Sequence, residues 1–176
     1  MASKPGPKPR SNPLLIQSAA AIEILLLCPM RIANLARLDI DHHLRWVKDG
    51  RTSRLFVNIP GDEVKNATPL YYELSGHSAE IIRRYMDDVR PTLSSIPGTA
   101  LFPKMDGTTK APGDLSVQVK RHIFTETGLI VNAHLFRSLA SKIHNQVHAG
   151  DVATISHVLG DRLQTVMKAY SQFEQK

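Results

Sequence analysis

The sequence predicts an α+β domain, mainly helical, with a small three-stranded antiparallel sheet inserted near the first third of the chain. Three observations carry this. Apolar residues recur at spacings of three and four over most of the 176 residues, the period of a helix with one buried face. Between His43 and Leu70 the period drops to two, with turn-forming pairs between the runs. The apolar fraction, 42%, and the length suit one domain with a proper core rather than a disordered or multidomain chain.

The elements follow in order. Residues 1–12 are Lys-, Pro- and Gly-rich (Lys4-Pro5-Gly6-Pro7-Lys8-Pro9-Arg10) and read as an extended basic linker or leader, either inert or a tether touching phosphates. Pro13 to Cys28 reads as a helix with Leu14, Leu15, Ser18, Ala19, Ile22, Leu25 and Leu26 on one broad face. Pro29 stops it, since proline cannot continue the backbone hydrogen bonds. A short helix follows with Arg31 at its start and Ile32, Leu35 and Leu38 on its apolar side. Leu44 and Trp46, then Leu55, Val57 and Ile59, alternate around an Asp49-Gly50 turn. After Pro60-Gly61-Asp62 a third strand is expected from Val64 to Leu70.

Ser78 to Val89 is an amphipathic helix ended by Arg90-Pro91. Residues 91–112 are irregular, anchored by Leu101-Phe102-Pro103. Asp114 to Thr127 is a helix capped by Gly128, bearing Lys120, Arg121 and His122 together: either a phosphate-facing patch or a solvated face. Ala133 to His148 is a helix whose expected buried stripe is Leu135, Leu139, Ile143 and Val147. Asp151 is placed to cap a short helix to Leu159. Arg162 to Gln175 is the last helix, with Leu163, Val166, Met167, Tyr170 and Phe173 on one stripe.

The formal charge is +6 and the pI about 9.6, a balance that favours polyanionic partners. The single cysteine, Cys28, excludes an internal disulfide framework and reads as a buried thiol. The longest apolar run, Ala19 to Cys28, is too short to span a bilayer and is interrupted by Glu23. A reducing, cytoplasmic compartment is expected. His144 and His148 have the i, i+4 spacing of metal ligands, but no third ligand accompanies them, so no metal is expected.

The chemistry concentrates late in the chain. In His134-Leu135-Phe136-Arg137 a His and an Arg three apart share a helix face. A helix beginning near Asn132 would project both from its first turn, where unpaired backbone N–H groups favour an anion. Leu159-Gly160-Asp161 and Tyr170 follow. A proton carrier, a guanidinium fork and a phenol form a phosphoryl-transfer set.

Arg31 in Cys28-Pro29-Met30-Arg31-Ile32-Ala33-Asn34-Leu35, then Lys65, then His134 and Arg137, then Asp161, then Tyr170 stand in an order that resembles the catalytic domain of the tyrosine recombinases, also called the phage integrase family. The resemblance runs from about Pro13 to the C-terminus. Two features depart from the pattern. Asp161 stands where the family has His or Trp after Leu-Gly, and Pro69-Leu70 follows Lys65 after four residues rather than about eight.

The resemblance implies an integrase-type fold and metal-independent DNA cleavage. Tyr170 would attack to give a 3′-phosphotyrosine, and His134 would serve as its base. Arg31 and Arg137 would clamp the non-bridging oxygens, and Lys65 would protonate the leaving 5′-oxygen. On the residues alone, Tyr170 equally fits core packing. At Asp161 a hydrogen-bond donor is replaced by an acceptor, expected to turn away and pair with Arg162 or His157, or to bind a neighbour of Tyr170. The implied partner is double-stranded DNA, with a homo-tetramer on DNA in the full-length form, a monomer alone, no membrane and no cofactor. The expected role is site-specific recombination or integration of a mobile element, bacterial or phage-encoded. The family's amino-terminal DNA-binding domain is expected to be absent from this chain, which would then be either an excised catalytic domain or a minimal form. A catalytically impaired DNA-binding relic and a type IB topoisomerase-like activity are the competing readings.

Overall fold

The first helix, α1 (Pro13–Leu27), is started by Asn12, whose side chain accepts from the Leu14 N–H at 3.0 Å, with Pro13 in the first turn. The computed structural model describes residues 12–50, 52–148, 150–161 and 164. The leader expected over residues 1–12 thus lies, except for Asn12, outside the described residues. After Cys28-Pro29-Met30, all buried, α2 (Ile32–Ala36) begins with Arg31 at its N-cap position.

The sheet is a β1–β2–β3 meander, antiparallel throughout: β1 (Leu44–Asp49), β2 (Thr52–Ile59) and β3 (Leu70–Leu74). Leu44 pairs with Val57, Trp46 with Leu55, Leu55 with Leu74, and Ile59 with Leu70. Period-two alternation therefore puts Leu55, Val57, Ile59, Leu70 and Leu74 on the core side. The third strand starts where the sequence reading ended it. Val64 to Pro69 is a turn instead, because Ala67 takes a left-handed backbone (φ 55) and Pro69 has no N–H for a ladder.

The helix α3 (Gly76–Arg84) continues through a wider turn of π type, Tyr85–Val89. Its buried Tyr85 donates to the Leu101 carbonyl at 2.7 Å and stacks on Phe102 at 5.8 Å, anchoring the irregular stretch as expected. Then come α4 (Pro112–Thr127), α5 (Ala133–Val147) and α6 (Val152–Leu159). Gly128 closes α4 in the left-handed conformation (φ 72).

The core gathers around α1, which packs on α3, α4 and α5. Its buried face differs from the sequence reading: Gln17, Ser18, Ala20, Ala21, Ile24 and Leu25 face inwards, while Leu14, Ala19 and Leu26 are exposed. A helix apolar nearly all round carries no preferred face of its own, so its partners choose. Here polar groups on α4 choose. Gln118 Nε2 donates to Gln17 Oε1 and Ser18 Oγ, both at 3.0 Å, and Ser18 Oγ lies 2.7 Å from His122 Nδ1. Lys110 Nζ reaches Gln17 and Gln118 at 2.6 Å each. These buried polar groups pair with one another, which makes the α1–α4 contact specific.

Candidate active site

Three segments remote in sequence meet at one corner. Arg31 arrives there because Pro29 ends α1 and the chain turns at once into α2. Arg137 arrives on α5, whose first turn is fixed by Asn132: its side chain accepts from the Leu135 N–H at 3.1 Å. Asp161 arrives after α6, which is capped by the Asp151 side chain on the Thr154 N–H at 3.1 Å and ended by Gly160 in the left-handed region (φ 58). A Cβ on Gly160 would sit 2.7 Å from Leu70 Cδ2, so the absence of a side chain lets this corner seat against the core.

At that corner the Asp161 carboxylate bridges the two guanidinium groups. Its Oδ1 accepts from Arg31 Nη2, and its Oδ2 from Arg137 Nη2 at 2.5 Å. Arg137 is 5% exposed and uses its other nitrogen on two carbonyls, Pro29 O at 2.7 Å and Leu159 O at 3.0 Å. Arg31 also donates to Gly160 O at 3.2 Å, and Asn66 Nδ2 to the same oxygen at 2.8 Å. The Asp161 backbone is held by Ser156, which accepts from the Asp161 N–H at 3.0 Å and donates its hydroxyl to Asp161 O at 2.6 Å. Asp161 thus bridges the two arginines rather than pairing with His157, one of the partners the sequence favoured; Arg162, another, lies outside the described residues.

Arg31, Ile32, Ala33, Ala133, His134, Arg137 and Asp161 line one concavity of about 380 Å³. Two guanidinium groups against one carboxylate leave a net positive charge there. His134 lines it as an exposed residue on the first turn of α5. Lys65 is exposed in the turn between β2 and β3, next to the Asn66 that holds Gly160. Tyr170 lies outside the described residues. Of the other tyrosines, Tyr72 donates to Val158 O at 2.7 Å and Tyr85 to Leu101 O, and burial pushes both phenols up, while Tyr71 is exposed on β3. Cys28 is buried, which raises its thiol likewise.

Lys120, Arg121 and His122 do not form one face. Lys120 and Arg121 are exposed on α4, but His122 is 8% exposed and bonded to Ser18. Its ring belongs to the α1–α4 network, so the expected DNA contact does not extend to it. On α5 the expected buried stripe also fails. Leu135, Leu139, Ile143 and Val147 are 49%, 46%, 51% and 68% exposed. Leu135 and Leu139 line an open apolar groove with Ile22, Leu26 and Ile123. The helix instead buries Ala133, Phe136 and Arg137, because the Arg137 bonds fix its rotation. His144 Nε2 lies 3.6 Å from Asp151 Oδ2. Among the described residues no group of three or more His, Cys, Asp or Glu is gathered for a metal ion.

Asn66, Tyr72 and Ser156, which position the Gly160-Asp161 corner, were not singled out for it from the sequence. Nothing in their spacing marks them; only the approach of the turn before β3 to the end of α6 reveals their part.

A mainly helical domain with this sheet and this arginine corner has the catalytic-domain fold of the tyrosine recombinases. In sequence the chain is similar to one such protein, 27% identical over 168 residues to the tyrosine recombinase XerC of Alcanivorax borkumensis, covering 93% of this chain and 50% of that protein. The chain therefore spans about half the length of the curated relative it matches. No family model matches it. Among solved structures it is similar to the XerH site-specific recombinase bound to a palindromic difH substrate in a post-cleavage complex (TM-score 0.70, 22% identity, 94% of this chain and 45% of that one). It is also similar to a lambda integrase dimer bound to a COC′ core site (TM-score 0.57, 15% identity, 89% and 55%).

Proposed function

We propose that this chain is the catalytic part of a site-specific DNA recombinase, which cuts and rejoins DNA strands through a 3′-phosphotyrosine. The observation that carries the reading is the convergence of Arg31 and Arg137 on one carboxylate: two guanidinium forks already aimed at a single anion. Such preorganised donors stabilise charge that develops on a phosphorane, where losing one donor typically costs about 2.7–4 kcal/mol.

In this reading Tyr170 attacks the phosphorus and the 5′-oxygen leaves. His134, on the rim of the same concavity, takes the phenol proton, a contribution of roughly 10²–10⁴ in rate when positioned. Lys65 returns a proton to the leaving oxygen; its neighbour Asn66 ties that turn to the site. Arg31 and Arg137 hold the non-bridging oxygens. Exposed Lys120 and Arg121 add phosphate contacts, and four protomers assemble on the duplex. The relatives are recombinases, two of them solved with DNA. No helix among the described residues is long and apolar enough to cross a membrane.

Covalent trapping tests this. The chain is incubated with a nicked suicide substrate from its own attachment site and run on a denaturing gel. A DNA–protein adduct is expected, lost in Tyr170→Phe while DNA affinity persists. Tight DNA binding with no adduct from any form that retains Tyr170 would favour the DNA-binding relic. That second reading draws on the Asp161 bridge, which neutralises part of the arginine charge. Relaxation of supercoils without strand exchange would point to topoisomerase-like chemistry.

A further inference from the structure

We infer that Asp161 is a built-in occupant of the anion site, and that an incoming phosphate must displace its carboxylate before the two arginines can bind it. The inference rests on reading Arg31 and Arg137 as a phosphate clamp and says how that clamp is held when no phosphate is present. Both carboxylate oxygens are used, one on each guanidinium. A phosphodiester presents two non-bridging oxygens in much the same way, so carboxylate and phosphate compete for the same N–H groups.

The corner is built to hold the carboxylate while leaving it exchangeable. The Asp161 backbone is fixed on both sides by Ser156, and Gly160 O is held by Asn66 and Arg31. Only the short side chain need rotate to vacate the site. Arg137 would keep its place meanwhile, because one of its nitrogens stays on Pro29 O and Leu159 O. The cavity beside the three residues, about 380 Å³, offers room for the displacing anion. A residue that donated a hydrogen bond here would assist phosphate; this carboxylate instead sets a threshold that a weakly held anion does not pass.

The test uses inorganic phosphate and no DNA. Its affinity is measured by calorimetry for the wild-type chain, Asp161→Asn and Asp161→Glu. Asp161→Asn removes the competing charge at nearly constant shape and is expected to bind phosphate at least ten-fold tighter than wild type. Asp161→Glu keeps the charge and should bind no tighter. Adding Arg31→Gln to Asp161→Asn should abolish the gain. Equal affinity in wild type and Asp161→Asn, or no binding by either, overturns the inference. A measurement on the unaltered chain covers the case of a misfolded variant. Titrating phosphate must move the Asp161 carboxyl carbon resonance together with that of the Arg137 side chain; movement of Arg137 alone overturns the inference. The outcome is separable from covalent trapping. A tighter Asp161→Asn with no adduct from any form retaining Tyr170 would sink the recombinase reading and leave the displaced carboxylate standing. A normal adduct with equal phosphate affinities would do the reverse.

Discussion

Arg137 has two duties at the scale of a single residue. One nitrogen bonds two carbonyls from different segments, and the other holds the Asp161 carboxylate. Removing the side chain leaves Asp161 with Arg31 but takes the donor from the Pro29 and Leu159 carbonyls, where a buried group left unpaired typically costs about 1–3 kcal/mol each. Arg137→Ala is therefore expected to lower stability by several kcal/mol, seen as a fall in the urea midpoint, as well as to abolish cleavage. Arg31, a quarter exposed, should cost much less stability for the same loss of cleavage. Equal destabilisation by the two substitutions would contradict the asymmetry of the corner. Gly160 is the second decisive residue. Its left-handed backbone costs an L-residue about 1–2 kcal/mol, and an added Cβ would meet Leu70 Cδ2 at 2.7 Å. Gly160→Ala should destabilise by at least that much and shift Asp161, so that its adduct yield falls although no charged group has changed.

At the scale of elements, α4 shows how one helix divides its labour. Lys120 and Arg121 face solvent, while the next residue, His122, turns into the α1–α4 network. Burial, and then the neighbouring charge of Arg121, hold the His122 ring below its ordinary pKa of 6.5. The sign follows. Above pH 6.5 the ring is neutral folded or unfolded, and its contribution is complete. As pH falls below that value the unfolded chain takes up the proton first, so stability drops through the window down to the lowered folded pKa. The urea midpoint of the wild-type chain should fall more between pH 7.5 and 5.5 than that of His122→Gln; parallel declines would mean that the ring does not titrate against the fold. The same helix shows what the sequence could and could not disclose. Its Gly128 stop was legible because glycine acts locally, while its start, expected at Asp114, falls earlier, at Pro112. Which residues face inwards was less legible on its partner α1, where Gln17 is buried by virtue of its bond to Gln118 of α4. On α5 likewise, apolar spacing pointed to Leu135, Leu139, Ile143 and Val147, yet the bonds of one buried arginine rotate that stripe outwards. Arg31, His134, Arg137 and Asp161 were picked out because their order resembles a family's pattern, and the structure brings them to one concavity. The bridge between them was not legible, because it depends on where the chain after α6 returns.

For the whole molecule, the site joins two units of unequal strength. The main core runs from α1 through the sheet to α4 and the first turns of α5. The helix α6 has a core of its own, Ile155 and Leu159 with Val152 and Val158 against them. Among the described residues most of its hydrogen bonds to the rest of the fold lie at its C-terminal end, Tyr72 on Val158 O, Asn66 and Arg31 on Gly160 O, and Arg137 on Leu159 O and the Asp161 carboxylate, while at its start His144 Nε2 lies 3.2 Å from Asp151 O. The small apolar cluster that α6 has among the described residues gives it a low free energy of local opening. The Asp161 bridge then has a structural consequence beside the chemical one: displacing its carboxylate removes one of the ties that dock α6. Native-state hydrogen exchange tests this division. Amides of Val152–Leu159 are expected to exchange through a local opening well before those of α1 and β2, whose exchange should require global unfolding. Asp161→Asn should speed exchange in α6 selectively and leave α1 and β2 unchanged. Tyr72→Phe, which deletes a bond from the other side of the same helix, should do so to a similar degree, a net loss of about 1 kcal/mol. If α6 exchanged at the global rate in all three proteins, the corner would be one cooperative piece with the core, and the site would open only when the whole fold does.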